Sequence, residues 1–180
     1  MTVPTAPTDE ALVTAVLAGD DPAFAELARR HKRKIFGMAA RFFNTSEDRE
    51  DLAQEVFLKA WRSLHSYRAS APFEHWLSRI AIRCCYDALR KTNRQPATAP
   101  LAAAAATPSA TDDNSRACEL IQYGLSRLSP PERLVLTLLE LEGHSIREIS
   151  QATGWSEAKV KVRAHRARTA LKHILESRHE

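Results

Sequence analysis

The sequence predicts an all-α protein of two small helical domains joined by a flexible linker, the C-terminal one containing a helix-turn-helix. Three observations carry that prediction. Apolar residues recur at three- and four-residue spacing through most of the 180 residues, while β-branched alternation is scarce and only five glycines occur. Capping residues and glycines punctuate those periodic stretches. One segment, residues 93–114 (NRQPATAPLAAAAATPSATDDN), has no amphipathic period at all. It is mostly Ala, Thr and Pro, and Pro96, Pro100 and Pro108 forbid a continuous helix. It reads as the linker between an N-terminal domain at 8–92 and a C-terminal domain at 115–177.

Four helical patterns fill the first domain. Thr8 caps a short helix that stops at Gly19. Asp21-Pro22 reads as an N-cap with a proline behind it, opening a helix with Phe24, Leu27, Ala28, Ile35, Met38, Ala39 and Phe42 in phase. Ser46 caps the third, whose apolar stripe is Leu52, Val56, Phe57, Ala60, Trp61 and Leu64. After the polar loop HSYRASA, Pro72 opens a fourth, with Phe73, Trp76, Leu77, Ile80, Ala81, Cys84, Ala88 and Leu89 inward. His31 lies in phase with an apolar stripe, so a packed core histidine is expected.

In the second domain Ser115 starts a helix with Leu120, Ile121 and Leu125 inward. Ser129-Pro130-Pro131-Glu132 combines an N-cap, a proline at the first helical position and a capping-box glutamate. That helix ends at Gly143. Ser145 and Glu148 form a second capping box on a short helix that Gly154 ends, and Ser156 caps a last, long one. A short helix, a glycine turn and a longer helix make a helix-turn-helix, whose second helix enters the major groove.

The long helix carries the charge. At about 100° per residue, Val160, Ala164, Ala167 and Leu171 fall in one sector that faces the core. Opposite them lie Ala158, Val162, His165 and Thr169, with Lys161 and Arg166 beside them. From Lys159 to Lys172 there are six Lys or Arg and no acid, whereas a merely solvated face mixes signs. The candidates for base edges are therefore Lys161, Val162, His165 and Arg166, since Arg pairs with guanine and Val meets a thymine methyl. Lys159, Arg163 and Arg168 are candidate phosphate anchors, and the Ser156 end offers backbone N–H groups.

Composition bounds the rest. Lys plus Arg number 26 against 22 acids, a net charge of only +4, so distribution matters more than the total. Cys84, Cys85 and Cys118 make no disulfide framework, which fits a reducing compartment. The adjacent pair reads as small residues in or near the core. No apolar run reaches about 18 residues, and MTVPTAPTDEA lacks the regions of a signal peptide, so a cytoplasmic protein with no membrane insertion of its own is expected. There is no glycine-rich phosphate loop, HExxH or Cys-x-x-Cys, so no catalytic residue, metal or cofactor is expected.

Two features of the first domain need a partner. Five acids crowd Glu47 to Glu55, and Asp51, Gln54, Glu55 and Lys59 form a polar face. The loop around Tyr67, Arg68 and Ser70 puts an aromatic beside a cation, which suits unstacked bases. Taken in order, DREDLAQEVFLKAWRSL, FEHWLSRIA and LSPPERLVLTLLELEGHSIREISQATGWSEAKVKVRAHRARTAL resemble a bacterial RNA polymerase sigma factor of the small two-domain, extracytoplasmic-function type. The resemblance covers residues 10–92 and 115–175.

That resemblance implies a set of partners. The β′ clamp helices of core polymerase would bind Asp48, Asp51, Leu52, Gln54, Glu55 and Phe57, and the β flap is a further polymerase contact. The loop Tyr67, Arg68, Ala69, Ser70, Ala71 and Phe73, with Arg83 on the following helix, would hold a flipped base of the −10 element. The last helix would read the −35 element as duplex, and an anti-sigma factor would hold the protein inactive. Arg83 stands where the family commonly has Asn, and Lys159 and Val162 stand where small polar residues are common. A stand-alone helix-turn-helix regulator is the alternative, but it leaves the acidic helix and the aromatic loop without a purpose.

Overall fold

The computed structural model describes residues 6–94 and 112–177. Among them are eight α-helices and no strand. The first four are α1 (Asp9–Leu17), α2 (Asp21–Phe42), α3 (Ser46–Ser63) and α4 (Phe73–Arg94). The last four are α5 (Asp112–Arg127), α6 (Pro130–Leu136), α7 (Ile146–Thr153) and α8 (Glu157–Glu176). The expected linker falls largely on 95–111, outside the described residues; its two ends are helical, in α4 and α5.

Local signals place most boundaries. The Thr8 hydroxyl accepts from the Ala11 N–H at 3.2 Å, capping α1 as expected. Two caps sit one residue earlier than the sequence suggests. Asp20 rather than Asp21 precedes α2, and Thr45 rather than Ser46 caps α3, accepting from the Asp48 N–H. In both places neighbouring residues are equally good caps, so the local chemistry does not choose between them. α5 begins at Asp112, one turn before the expected Ser115.

Around α7 the expected signals are all present. The Ser145 hydroxyl accepts from the Glu148 N–H, and the Glu148 carboxylate accepts in return from the Ser145 N–H at 2.7 Å. Gly154 ends the helix at φ 75°, a left-handed conformation that costs glycine nothing. Ser156 then caps α8 by accepting from the Lys159 N–H. The Ser129 box is only half made: its hydroxyl bonds the Glu132 carboxylate at 2.5 Å without capping a backbone N–H.

One element was not expected. The helix after Pro130 does not run evenly to Gly143; after Leu136 it widens into a π turn over Thr137–Leu141. The extra residue rephases the chain beyond it. Glu140 turns outward to Arg168 at 2.6 Å, while Glu142 reaches Arg41 at the end of α2, 3.1 Å away. The Thr137 hydroxyl is buried there without a hydrogen-bond partner.

The core is continuous across the two helical regions. Leu27, Ile35, Phe42, Val56, Leu77 and Ala81 of the first four helices share one buried cluster with Leu134, Leu138, Ile149 and Val160 of the last four. α4 is its axis, packing on α2 and α3 and also on α6 and α7. A smaller cluster of Leu125, Leu128, Leu136 and Ala167 holds α5 to α8. His31 is largely enclosed as expected, with its Nε2 2.7 Å from an Asp9 carboxylate oxygen and its ring beside Phe73. Trp61 is a correction: its place in the apolar stripe predicts burial, yet it is 38% exposed, with its ring edge-to-face on Phe24.

The capping box gives a direct test of this local reading. Ser145→Ala should lower stability by about 1 kcal/mol in chemical denaturation. The Ser145 backbone N–H, then its hydroxyl, hold the Glu148 carboxyl below its ordinary value. A carboxyl depressed in the folded state contributes its stabilisation above its unfolded value, about pH 4.3, and loses it as pH falls through the folded one. The difference between wild type and Ser145→Ala should therefore shrink on acidification below that value.

Candidate nucleic-acid interface

α8 is oriented as the wheel requires. Val160, Ala164 and Ala167 are buried, at 0%, 3% and 0% exposure, while Val162 is 51% exposed. Lys159, Lys161, His165 and Arg166 are exposed on the same outward side. The Gly154 turn sets the angle between α7 and α8, and the Ser156 cap fixes where α8 begins. The outward valine is thus flanked by cations and lies on no core.

The four phosphate candidates do not behave alike. Lys159 is exposed, and Ser156 caps the helix end. Arg163 instead lies flat over the Trp155 ring, its guanidinium carbon 3.7 Å from the centroid, with Nη1 buried and unpartnered. Arg168 is paired with Glu140. Both groups are about half exposed, so that pair is worth little, and a phosphate competes with it readily.

The aromatic loop is partly core. Phe73 is 2% exposed, so it packs and does not face a base. Tyr67, half-buried, stacks edge-to-face on Phe73 and lies 5.7 Å from Trp76. Its hydroxyl donates to the Ala71 carbonyl at 3.0 Å, closing the loop. What stands clear is Arg68, Ala69 and Ser70, all exposed, with Ala71 partly covered. Ala69 holds φ 51°, a left-handed conformation that alanine adopts at a cost. Tyr67 and Phe73 therefore brace a strained tip.

Arg83 is the clearest departure from expectation. Its Nε donates to the Ala152 carbonyl on α7 at 2.7 Å, so in this arrangement it is committed within the chain. No sequence signal announces this, because the acceptor is a backbone carbonyl 69 residues away.

On α3 the outward face is not the expected one either. Asp51 and Gln54 are exposed as anticipated, but Leu52 is 3% exposed and belongs to the core. Glu55 turns toward Lys59, whose ammonium is 2.9 Å away and also near Asp87 of α4. Asp48 is occupied at the helix start, accepting from the Thr45 hydroxyl at 2.6 Å. Phe57 is half-buried. The residues that sequence reasoning missed are Leu58 and Trp61, 48% and 38% exposed. They follow Asp51 and Gln54 along one face at helical spacing. A stripe read for burial hides such residues, because exposed and buried apolar side chains look alike in sequence.

An apolar groove lies between α5 and α8. Ile121, Leu125, Leu136, Leu141, Leu171 and Leu175 line it, with Glu140, Arg168, Lys172 and Glu176 at its edges. Among the described residues, no group of His, Cys, Asp or Glu is placed to hold a metal ion, and no helix is long and apolar enough to cross a membrane.

Known proteins share this architecture. Residues 27–95 match the family profile of sigma-70 region 2, and residues 118–171 that of sigma-70 region 4. The chain is 35% identical over 167 residues to the ECF RNA polymerase sigma factor SigM of Mycobacterium tuberculosis H37Rv, covering 93% of this chain and 84% of that protein. It is 32% identical over 177 residues to the ECF RNA polymerase sigma-E factor of Escherichia coli K12, covering 91% and 92%. Among solved structures it superposes on CnrH in complex with the cytosolic domain of CnrY, with TM-score 0.63, 25% identity and coverage of 94% and 97%. It shares the fold of RpoE from Bartonella quintana in complex with the anti-sigma factor NepR, with TM-score 0.64, 22% identity and coverage of 85% and 96%. With both profiles matched in order and relatives aligned over nearly its whole length, the chain belongs to the extracytoplasmic-function RNA polymerase sigma factors.

Proposed function

We propose that this sigma factor uses 8–92 to bind core polymerase and the −10 element, and 115–177 to bind the −35 element. The observation that carries the reading is the outward face of α8, where Val162 sits exposed among Lys159, Lys161, His165 and Arg166. An apolar side chain at the centre of a cationic face is placed to meet an apolar group such as a thymine methyl. Lys161, Val162, His165 and Arg166 read base edges; Lys159 and Ser156 bind phosphate. Arg163 and Arg168 join them once Trp155 and Glu140 release them.

Arg68, Ala69, Ser70 and Ala71 form the rim that holds an extruded base, braced by Tyr67 and Phe73. Extrusion costs a few kcal/mol, which a preformed rim offsets. The α3 face of Asp51, Gln54, Leu58 and Trp61, with Glu55 and Phe57 at its side, docks on the β′ clamp helices. Trp61 is its anchor, because aromatic side chains dominate such interfaces. The groove between α5 and α8 takes the apolar contact from the β flap. The protein works in the cytoplasm, carries no catalytic step of its own, and is held inactive by an anti-sigma factor, as the anti-sigma factor NepR accompanies RpoE in its solved complex.

Run-off transcription tests the whole reading. With purified core polymerase, the chain should direct initiation from a promoter upstream of its own operon; failure at every such promoter would favour the stand-alone regulator. Arg166→Ala should relax preference at one −35 base pair by about 1–3 kcal/mol, whereas Lys159→Ala should weaken all sequences alike and lower the salt slope by about one. Binding titrations on randomised −35 sites at several salt concentrations separate the two. Trp61→Ala should weaken core polymerase binding by about 2 kcal/mol while leaving −35 duplex binding by the free chain unchanged.

A further inference from the structure

α4 is buried on two sides. Phe73, Leu77, Ala81 and Cys84 face α2 and α3. Ser78, Ile82 and Cys85, spaced i, i+4 and i+7, form a second row that is 6%, 2% and 0% exposed. Its cover comes from the far end of the chain. Ser78 and Ile82 line a cleft with Glu142, His144, Glu148 and Gln151. Burial above all, with the Cys84 thiol and the Glu142 carboxylate adding to it, pushes the Cys85 thiol well above its ordinary value.

Two arginines fasten this seam reciprocally. Arg83, on α4, donates to the Ala152 carbonyl in the last turn of α7 at 2.7 Å. Arg133, on α6, donates through Nη2 to the carbonyl of Phe42, the last residue of α2, at 2.6 Å. Each region thus caps a helix C-terminus of the other, where carbonyls lack intrahelical donors and the helix dipole favours a cation. Tyr86 of α4 meets Trp155 edge-to-face at 5.1 Å, and Arg41 pairs with Glu142 across the same seam. The closure also carries costs. Desolvation lowers the Arg133 pKa, and its Nε is buried without a partner. An unsatisfied buried donor opposes burial, so it offsets part of what the caps contribute.

We propose that the free chain is self-closed: α7 covers in cis the side of α4 that carries Arg83, and the arginine caps of Arg83 and Arg133 latch that closure until a partner opens it. The consequence for promoter binding rests on the −10 assignment above; the closure itself is a property of the chain alone. In the closed form the Arg83 Nε is engaged by the Ala152 carbonyl, and Arg163 is held on Trp155, which leans on Tyr86. Opening the seam therefore frees Arg83 of the first region, while the Arg163–Trp155 contact lies wholly within the second.

The adjacent cysteines provide the test. Cys84 lies near Lys59 on the α3 side, whereas Cys85 faces the seam. Opening the seam uncovers Cys85 and leaves Cys84 beneath α3; exposed Cys118 serves as the full-rate reference. The intact chain, without polymerase or DNA, is alkylated with iodoacetamide and each site followed by mass spectrometry. Labelling of a protected thiol then tracks the open population. Arg83→Ala should raise the Cys85 rate about tenfold, the worth of one charge-assisted hydrogen bond, with Cys84 unchanged. An unchanged Cys85 rate overturns the latch. Equal rises at Cys84 and Cys85 overturn it too, because they report unfolding of the first region and not opening of the seam. Since neither polymerase nor promoter is present, the outcome stands apart from that of the transcription assay.

Discussion

A helix buried along two rows about 100° apart is a demanding element, because each row needs its own apolar partner and the polar remainder must still find hydrogen bonds. α4 meets this demand, and the rest of the architecture is arranged around it. Its first row completes a bundle with α2 and α3; its second row accepts α6 and α7. A ligand-free domain exposing Ile82 and Cys85 would leave apolar surface in water, which favours association with whatever apolar face is near. The nearest is the other end of the same chain.

The arrangement also divides the cations into two populations. On α8, Lys159, Lys161 and Arg166 stand outward, ready for an anion from solution. Arg41, Arg83, Arg133, Arg163 and Arg168 are instead occupied by carbonyls, carboxylates or a ring within the chain. The Arg41 and Arg168 ion pairs are partly exposed and individually weak, so they lose readily to a phosphate backbone that presents many charges at once. Net charge of +4 hides this division; the placement of the cations reveals it.

Much of this was legible from the residues, and the failures have physical causes. The helix-turn-helix was readable because its caps, its left-handed glycine and its outward valine are local features, each decided within four residues. The caps before α2 and α3 were off by one because adjacent side chains there cap equally well. The second row of α4 was hidden because Ser78 does not register as apolar and Ile82 and Cys85 lie out of phase with the first row, so periodicity picks out only that row. Trp61 and Tyr67 were misplaced because an aromatic ring can cover a core with one face and leave the other wet. The arginine caps were unreadable in principle, since a carbonyl at a helix end accepts regardless of the residue that carries it.

The π turn after Leu136 has a consequence for how this chain can vary. Within an even α-helix every residue is rotated by about 100° from the last, so the turn's surplus residue acts as a spacer that sets phase. Its composition, TLLEL, is unremarkable for any helix, although Leu138 within it packs into the shared core. A one-residue deletion would differ in kind from a substitution. It would permit a regular helix, improve local hydrogen bonding, and swing Glu142 and the entry to α7 around the helix axis. Chain length across those five residues, more than their identity, would then decide whether the two halves of the molecule can meet in register.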